Sequence, residues 1–319
     1  MTLLTHHLHI TFEVTGPLEI DNNAGSAVRG AVVNALLNRF CANQTAPTCA
    51  DCPLVRVCPV AALVAPMRDT DEPGGEQRPR PYVIRPPQGR RYAPGESLTF
   101  GLGLFGRAAE LFPYIVMAAH VIEFQGLGRR LEENRGRRGG VRLQEIDAIN
   151  PLTGAKQPLF RAGKRQIQAP GIPIGPAEVA SFAITLPEDR LTLRFLTPMR
   201  LIDGGRLVKQ PALRPLLQRL GIRLTDLSMA YGDGPLPAAD ARALLSLAER
   251  AILERNDTRW IDIVSHSRRT GERTPIGGLV GEAVFSGNLA PLREILVWGS
   301  LVHVGKNAVK GDGWYVVER

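Results

Sequence analysis

Apolar and polar residues alternate at the start of the chain. Leu8, Ile10, Phe12 and Val14 fall between His7, His9, Thr11 and Glu13, the period of two expected of a strand with one buried face. The period then changes. Val28, Val32, Ala35 and Leu36 share one face at helical spacing, after Ser26, and predict a helix. Residues 65–95 are rich in Pro, Arg and Gly and predict a long loop. Ser97–Leu104 reads as a strand and Phe112–Phe124 as a buried helix; residues 141–186 alternate short strands with turn signals.

The second half is more regular. Leu191, Leu193 and Phe195 alternate with Thr192 and Arg194. Leu213, Leu216, Leu217 and Leu220 form a helical stripe, and Leu244, Leu247, Ala248 and Ala251 form another after Asp240. Strands follow at Trp260–Val264 and Leu279–Phe285, then a helix from about Pro291 to Leu301 and a final strand at Gly313–Val317. Apart from one extra helix, the order is β-α-β-β-α-β, the ferredoxin-like pattern. The first half fits the same order. The expected architecture is α+β: two tandem ferredoxin-like (RRM-like) domains, residues 1–187 and 188–319, the first carrying a cysteine-rich insertion at 41–58.

Composition adds a partner. The 319 residues carry a formal charge of +8 and are 44% hydrophobic, so the chain builds ordinary cores and attracts polyanions. Met1 to Ile20 lacks the basic start and unbroken apolar run of a secretion signal, and no stretch of about 18 apolar residues appears. A soluble, cytoplasmic protein with no membrane partner is expected. Its arginines are concentrated. Arg129, Arg130, Arg135, Arg137, Arg138 and Arg142 fall within fourteen residues, and Arg78, Arg80, Arg85, Arg90 and Arg91 lie among prolines and glycines. Two arginine-rich loops suit phosphate contact.

All four cysteines, Cys41, Cys49, Cys52 and Cys58, fall within 18 residues as C-x7-C-x2-C-x5-C. Four thiolates complete a tetrahedral zinc site with no open position, which makes it structural. An iron–sulfur cluster has the same ligand count and stands behind zinc.

Near the C-terminus, residues 303–315 combine Gly305, Gly311 and Gly313 with His303, Lys306 and Lys310. Glycines let backbone N–H groups approach phosphate. This segment resembles the glycine-rich loop of the RAMP proteins, the RNA-binding proteins of CRISPR loci. Gly25-Ser26-Ala27-Val28-Arg29-Gly30-Ala31, the cysteine cluster, Phe112-Pro113-Tyr114 through Gly126-Leu127-Gly128-Arg129-Arg130, and Ser267-Arg268-Arg269 followed by Gly277-Gly278-Leu279-Val280-Gly281 resemble its pre-crRNA-processing endoribonuclease branch, in the right order over nearly the whole chain.

The resemblance implies two ferredoxin-like domains that bind CRISPR repeat RNA. It also implies metal-independent cleavage by the RNA's own 2′-hydroxyl, giving a 2′,3′-cyclic phosphate and a 5′-hydroxyl. Family members often carry histidine in the first helix, where this chain has Asn34. His303 is therefore the candidate acid–base group, with Lys306 to stabilise charge on the phosphate. Arg29, Arg129, Arg130, Arg137, Arg138, His266, Arg268, Arg269 and Lys310 are the candidate RNA contacts. The alternative reading is a non-catalytic crRNA-binding subunit of a CRISPR effector complex, whose other subunits would then be partners.

Overall fold

A computed structural model describes residues 3–68, 77–234, 241–266, 271 and 273–318. The chain divides into two compact units, Leu4–Pro173 and Ile174–Arg319, with Leu3 counted in the second.

The first unit runs β1 (Thr5–Val14), β2 (Leu18–Glu19), α1 (Ala24–Phe40), α2 (Pro59–Val64), β3 (Tyr82–Arg85), β4 (Arg91–Tyr92), β5 (Ser97–Phe105), α3 (Phe112–Gln125), β6 (Leu127–Leu131), β7 (Arg137–Gly139), β8 (Val141–Ile149) and β9 (Lys156–Arg161). Its main sheet is antiparallel in the order β3-β5-β1-β8-β9. Without the added edge strand β9, that is the ferredoxin-like order. The alternation in β1 has its expected consequence: Leu8, Ile10, Phe12 and Val14 are buried, and Phe12 stacks on Phe100 of β5 at 6.1 Å. Helices α1 and α3 pack together, α1 burying Val28, Val32, Ala35 and Leu36.

The second unit runs α4 (Pro176–Ile184), β10 (Arg190–Met199), β11 (Ile202–Asp203), β12 (Arg206–Leu207), α5 (Leu213–Tyr231), α6 (Ala241–Arg250), β13 (Ile252–Ile261), β14 (Val264–His266), β15 (Arg273–Pro275), β16 (Gly278–Ser286), α7 (Arg293–Val302) and β17 (Tyr315–Glu318). Its antiparallel sheet has the order β13-β16-β10-β17, again ferredoxin-like. Tyr315 is central to this core. Its ring is fully buried against Phe195, and its hydroxyl donates to the Leu296 carbonyl at 2.7 Å. Gly299 makes room, since a Cβ there would lie 2.0 Å from that hydroxyl oxygen.

Four expectations are corrected. The boundary falls after Pro173, because α4 packs on α7 of the second unit and Arg293 donates to the Leu186 carbonyl at 2.7 Å. Within residues 65–95, the described part includes β3, whose Arg85 is buried inside the sheet. The arginine-rich stretch after α3 is a β6–β7 hairpin in which Arg130 pairs across from Arg138. Finally, β13 begins at Ile252, well before the expected Trp260; it is an edge strand whose charged residues need no apolar alternation.

Candidate nucleic-acid interface

The glycine-rich segment of the second unit is a tightly bonded loop between α7 and β17. It starts at His303, which caps α7 with φ +59. The Val304 N–H donates to Gly313 O at 3.1 Å, Lys306 N–H to Arg200 O at 3.1 Å, Lys310 N–H to Asn307 O at 2.7 Å and Gly313 N–H to Pro198 O at 2.9 Å. Thr197 joins the loop to β10, its hydroxyl donating to Gly311 O at 2.7 Å and accepting the Trp314 N–H at 2.8 Å. The glycines serve this packing. A Cβ on Gly313 would lie 1.7 Å from Val304 O, and one on Gly305 would lie 2.6 Å from Arg200 O. Several N–H groups expected to meet phosphate are thus committed internally. What the loop offers outward is charge, with Lys306 exposed and Lys310 half-buried.

The expectation for His303 is corrected. Its ring is fully buried and lies parallel to Trp314, 6.0 Å between centroids. The positive φ turns the chain inward at the end of α7, so the imidazole braces the loop and does not face solvent. Asp312, also buried, has its carboxyl pushed up to about 7 by burial, against the opposing pull of Lys310 and a hydrogen bond from Asn307.

Beside the loop lies a cluster that no local motif announces. Arg200, just after β10, donates to Gly277 O at 2.9 Å, and its guanidinium carbon lies 5.7 Å from the ring centroid of Trp260. The Lys209 ammonium lies 6.0 Å from the same centroid. The Trp260 indole N–H donates to Asp262 at 2.9 Å. Trp260 lies far in sequence from Arg200 and Lys209, and the β13–β16–β10 ladder carries it to the end of β10 that Arg200 follows; the one local signal is an aromatic beside Arg259.

The hairpin of the first unit presents Arg129, Arg130 and Arg137 on its exposed surface. Arg129 pairs with Glu19 at 2.8 Å, Arg142 with Glu13 at 3.6 Å, and Arg138 donates to Gly128 O at 2.9 Å. Part of that charge is already compensated; Arg130 and Arg137 carry the outward excess. Arg29 is half-buried on α1 with its Nε enclosed. In the same unit His9 is half-buried in β1, its pKa lowered by burial, then by Arg85 and Lys156, with Asp147 opposing; these surroundings disfavour the charged imidazolium. His120 pairs with Glu123 at 2.8 Å. Arg268 and Arg269 lie outside the described residues, as does the side chain of His266.

The four cysteines line one cavity of about 300 Å³ together with Leu37, Asn43 and Pro47. The Asn43 amide donates to Cys52 Sγ at 3.7 Å. Burial raises the Cys49 pKa, and Cys41, Cys58 and Cys52 raise it further, so the thiols sense one another. Among the described residues no group of three His, Cys, Asp or Glu side chains is drawn close enough to hold a metal ion. The donor set and cavity suit a thiolate-bound metal; the thiols are not closed into a coordination shell. Among the described residues, no helix is long and apolar enough to cross a membrane.

Residues 193–315, which include the glycine loop, match the family model for the CRISPR-associated endoribonuclease Cas6, and residues 3–172 match a model for an N-terminal domain. No protein among those with curated functions matches significantly. Solved structures share the fold. A Cas6 product complex aligns with a TM-score of 0.58 at 17% identity, over 98% of this chain and 100% of that one. Thermus thermophilus Cas6 gives 0.55 at 15%, over 100% of both. A partial Cas6-RT-Cas1–Cas2 complex gives 0.60 at 13%, over 99% of this chain; this chain spans only 46% of that longer one.

Proposed function

We propose that this chain, which resembles the pre-crRNA-processing branch of the RAMP proteins and whose residues 193–315 match the Cas6 endoribonuclease model, binds CRISPR repeat RNA and cuts it within the repeat. In this reading the RNA's 2′-oxygen bonds to the adjacent phosphorus as the bond to the 5′-oxygen breaks. The 2′-hydroxyl loses its proton to a base, and the leaving 5′-oxygen gains one. The products are a 2′,3′-cyclic phosphate and a 5′-hydroxyl. Nucleophile and leaving group both belong to the RNA, so the protein's task is alignment and charge stabilisation.

The observation that carries this reading is the fixed glycine loop with exposed Lys306 at its surface. A cation on a backbone already bonded in place stabilises a pentacoordinate phosphate without reorganising. His303, enclosed behind the loop, acts here as a positioning residue. Arg130 and Arg137 of the hairpin, and Lys310, supply phosphate contacts. Beyond RNA, the proposed partners are other CRISPR proteins.

The cysteine insertion is proposed to hold one structural zinc through Cys41, Cys49, Cys52 and Cys58. The metal would bind the four sulfurs as thiolates and offset the repulsion between those charges. Elemental analysis of purified protein is expected to give about one zinc per chain, lost in C49S and C52S. Iron with visible absorbance would replace zinc by a cluster, and metal-free folded protein would remove the site.

The function is tested with the repeat RNA encoded beside the protein's own gene. Cleavage is expected with chelator present, and a 2′-deoxy nucleotide 5′ of the cut is expected to abolish it. Tight binding with no cleavage of normal RNA would point instead to a crRNA-holding subunit.

A further inference from the structure

The cluster at Trp260 goes beyond backbone binding. Elsewhere on the second unit's sheet, arginines are matched with acids: Arg190 with Glu254 at 2.9 Å, Arg255 with Asp257 at 2.8 Å and Glu282 at 3.5 Å, and Arg194 with Glu318 at 2.5 Å. At the Trp260 end this pairing stops. Among the described residues, Arg200, Lys209 and Lys306 make no ion pair. Two of these cations stand within 6.0 Å of one indole, and the third follows from the loop bonded to Arg200 through its own N–H. A cation–π contact that only braced the edge strand needs one cation and would tolerate a neighbouring acid. Asp262 accepts the indole N–H at 2.9 Å and so holds the ring's orientation.

The two cations over the ring differ. Arg200 is half-buried and anchored to Gly277 O. Lys209 is exposed on a flexible stem. Resting on that proposed RNA-binding function, we propose that Trp260 is a stacking platform for one unpaired nucleobase of the bound RNA. The base takes the place of the Lys209 ammonium over the ring. Lys209 and Lys306 then bind the flanking phosphates, while Arg200 keeps the indole in place. An aromatic face with adjacent cations is the arrangement that grips single strands, because every base has a stacking face and every nucleotide a phosphate.

The test uses the full chain and its repeat RNA, with each unpaired nucleotide replaced in turn by an abasic ribose. In wild type, one abasic position is expected to weaken binding about tenfold, and W260A to weaken the intact RNA about equally and to lose the penalty at that position. W260F is expected to bind within about threefold of wild type, but to lose most of the RNA-induced quench of tryptophan emission. If wild type binds and W260A binds equally well, or W260F retains the quench, the stacking site is overturned while RNA binding stands. If wild type fails to bind, the underlying function falls and this site with it. Should W260A not fold, the W260F quench decides.

Discussion

Asp312 shows how one residue's burial becomes a pH dependence. Its carboxyl ordinarily titrates near 3.8 and is raised by burial to about 7. The unfolded chain therefore releases this proton more readily than the folded one. The stability conferred by the neutral carboxyl is complete below pH 3.8 and is lost as pH rises through about 7. D312N removes the titration and keeps a polar side chain of the same shape. It is expected to melt higher than wild type at pH 8 and close to wild type near pH 4, measured by thermal unfolding. Equal shifts at both values would mean that the charge is not the cause. His303 carries a related lesson. Its position beside lysines suggested chemistry, but the burial of its ring depends on a positive φ and on Trp314 eleven residues later, which composition does not encode.

At the scale of elements, the glycine loop is a shaped part of the core. Gly313 combines φ +69 with a carbonyl oxygen 1.7 Å from where a Cβ would stand. G313A is expected to cost about 2 kcal/mol or more, measured by urea unfolding. G204A, at φ +51 with open space around it, should cost clearly less; equal losses would reduce the effect to backbone strain alone. The elements with regular apolar periods, β1, α1, α3, β10 and α5, were legible from sequence because one buried face imposes its period. Those that escaped are held by other means. The β6–β7 hairpin depends on Gly126 and Gly128, both at positive φ, packed against Gly139 and Glu19. Strand β13 is legible only through its ladder to β16, its own residues being ILERNDTRWI. For the candidate site, Lys306 and the hairpin arginines could be found as local clusters. The meeting of Trp260 with Arg200 and Lys209 could not, because it is the sheet that carries Trp260 to cations some 50 residues earlier in the chain.

At the scale of the molecule, each unit repeats the ferredoxin-like strand order, and residues 193–315 of the second match the Cas6 endoribonuclease model. The net charge of +8 supplies general attraction to RNA, which salt weakens. Specific cleavage needs the RNA held in line for its own 2′-oxygen to attack. The most direct measurement is incubation of the purified chain, in chelator, with its cognate repeat RNA and with the same RNA bearing one 2′-deoxy nucleotide 5′ of the cut. The account predicts a 2′,3′-cyclic phosphate and a 5′-hydroxyl from the first and an intact second RNA. Cleavage of both would contradict it.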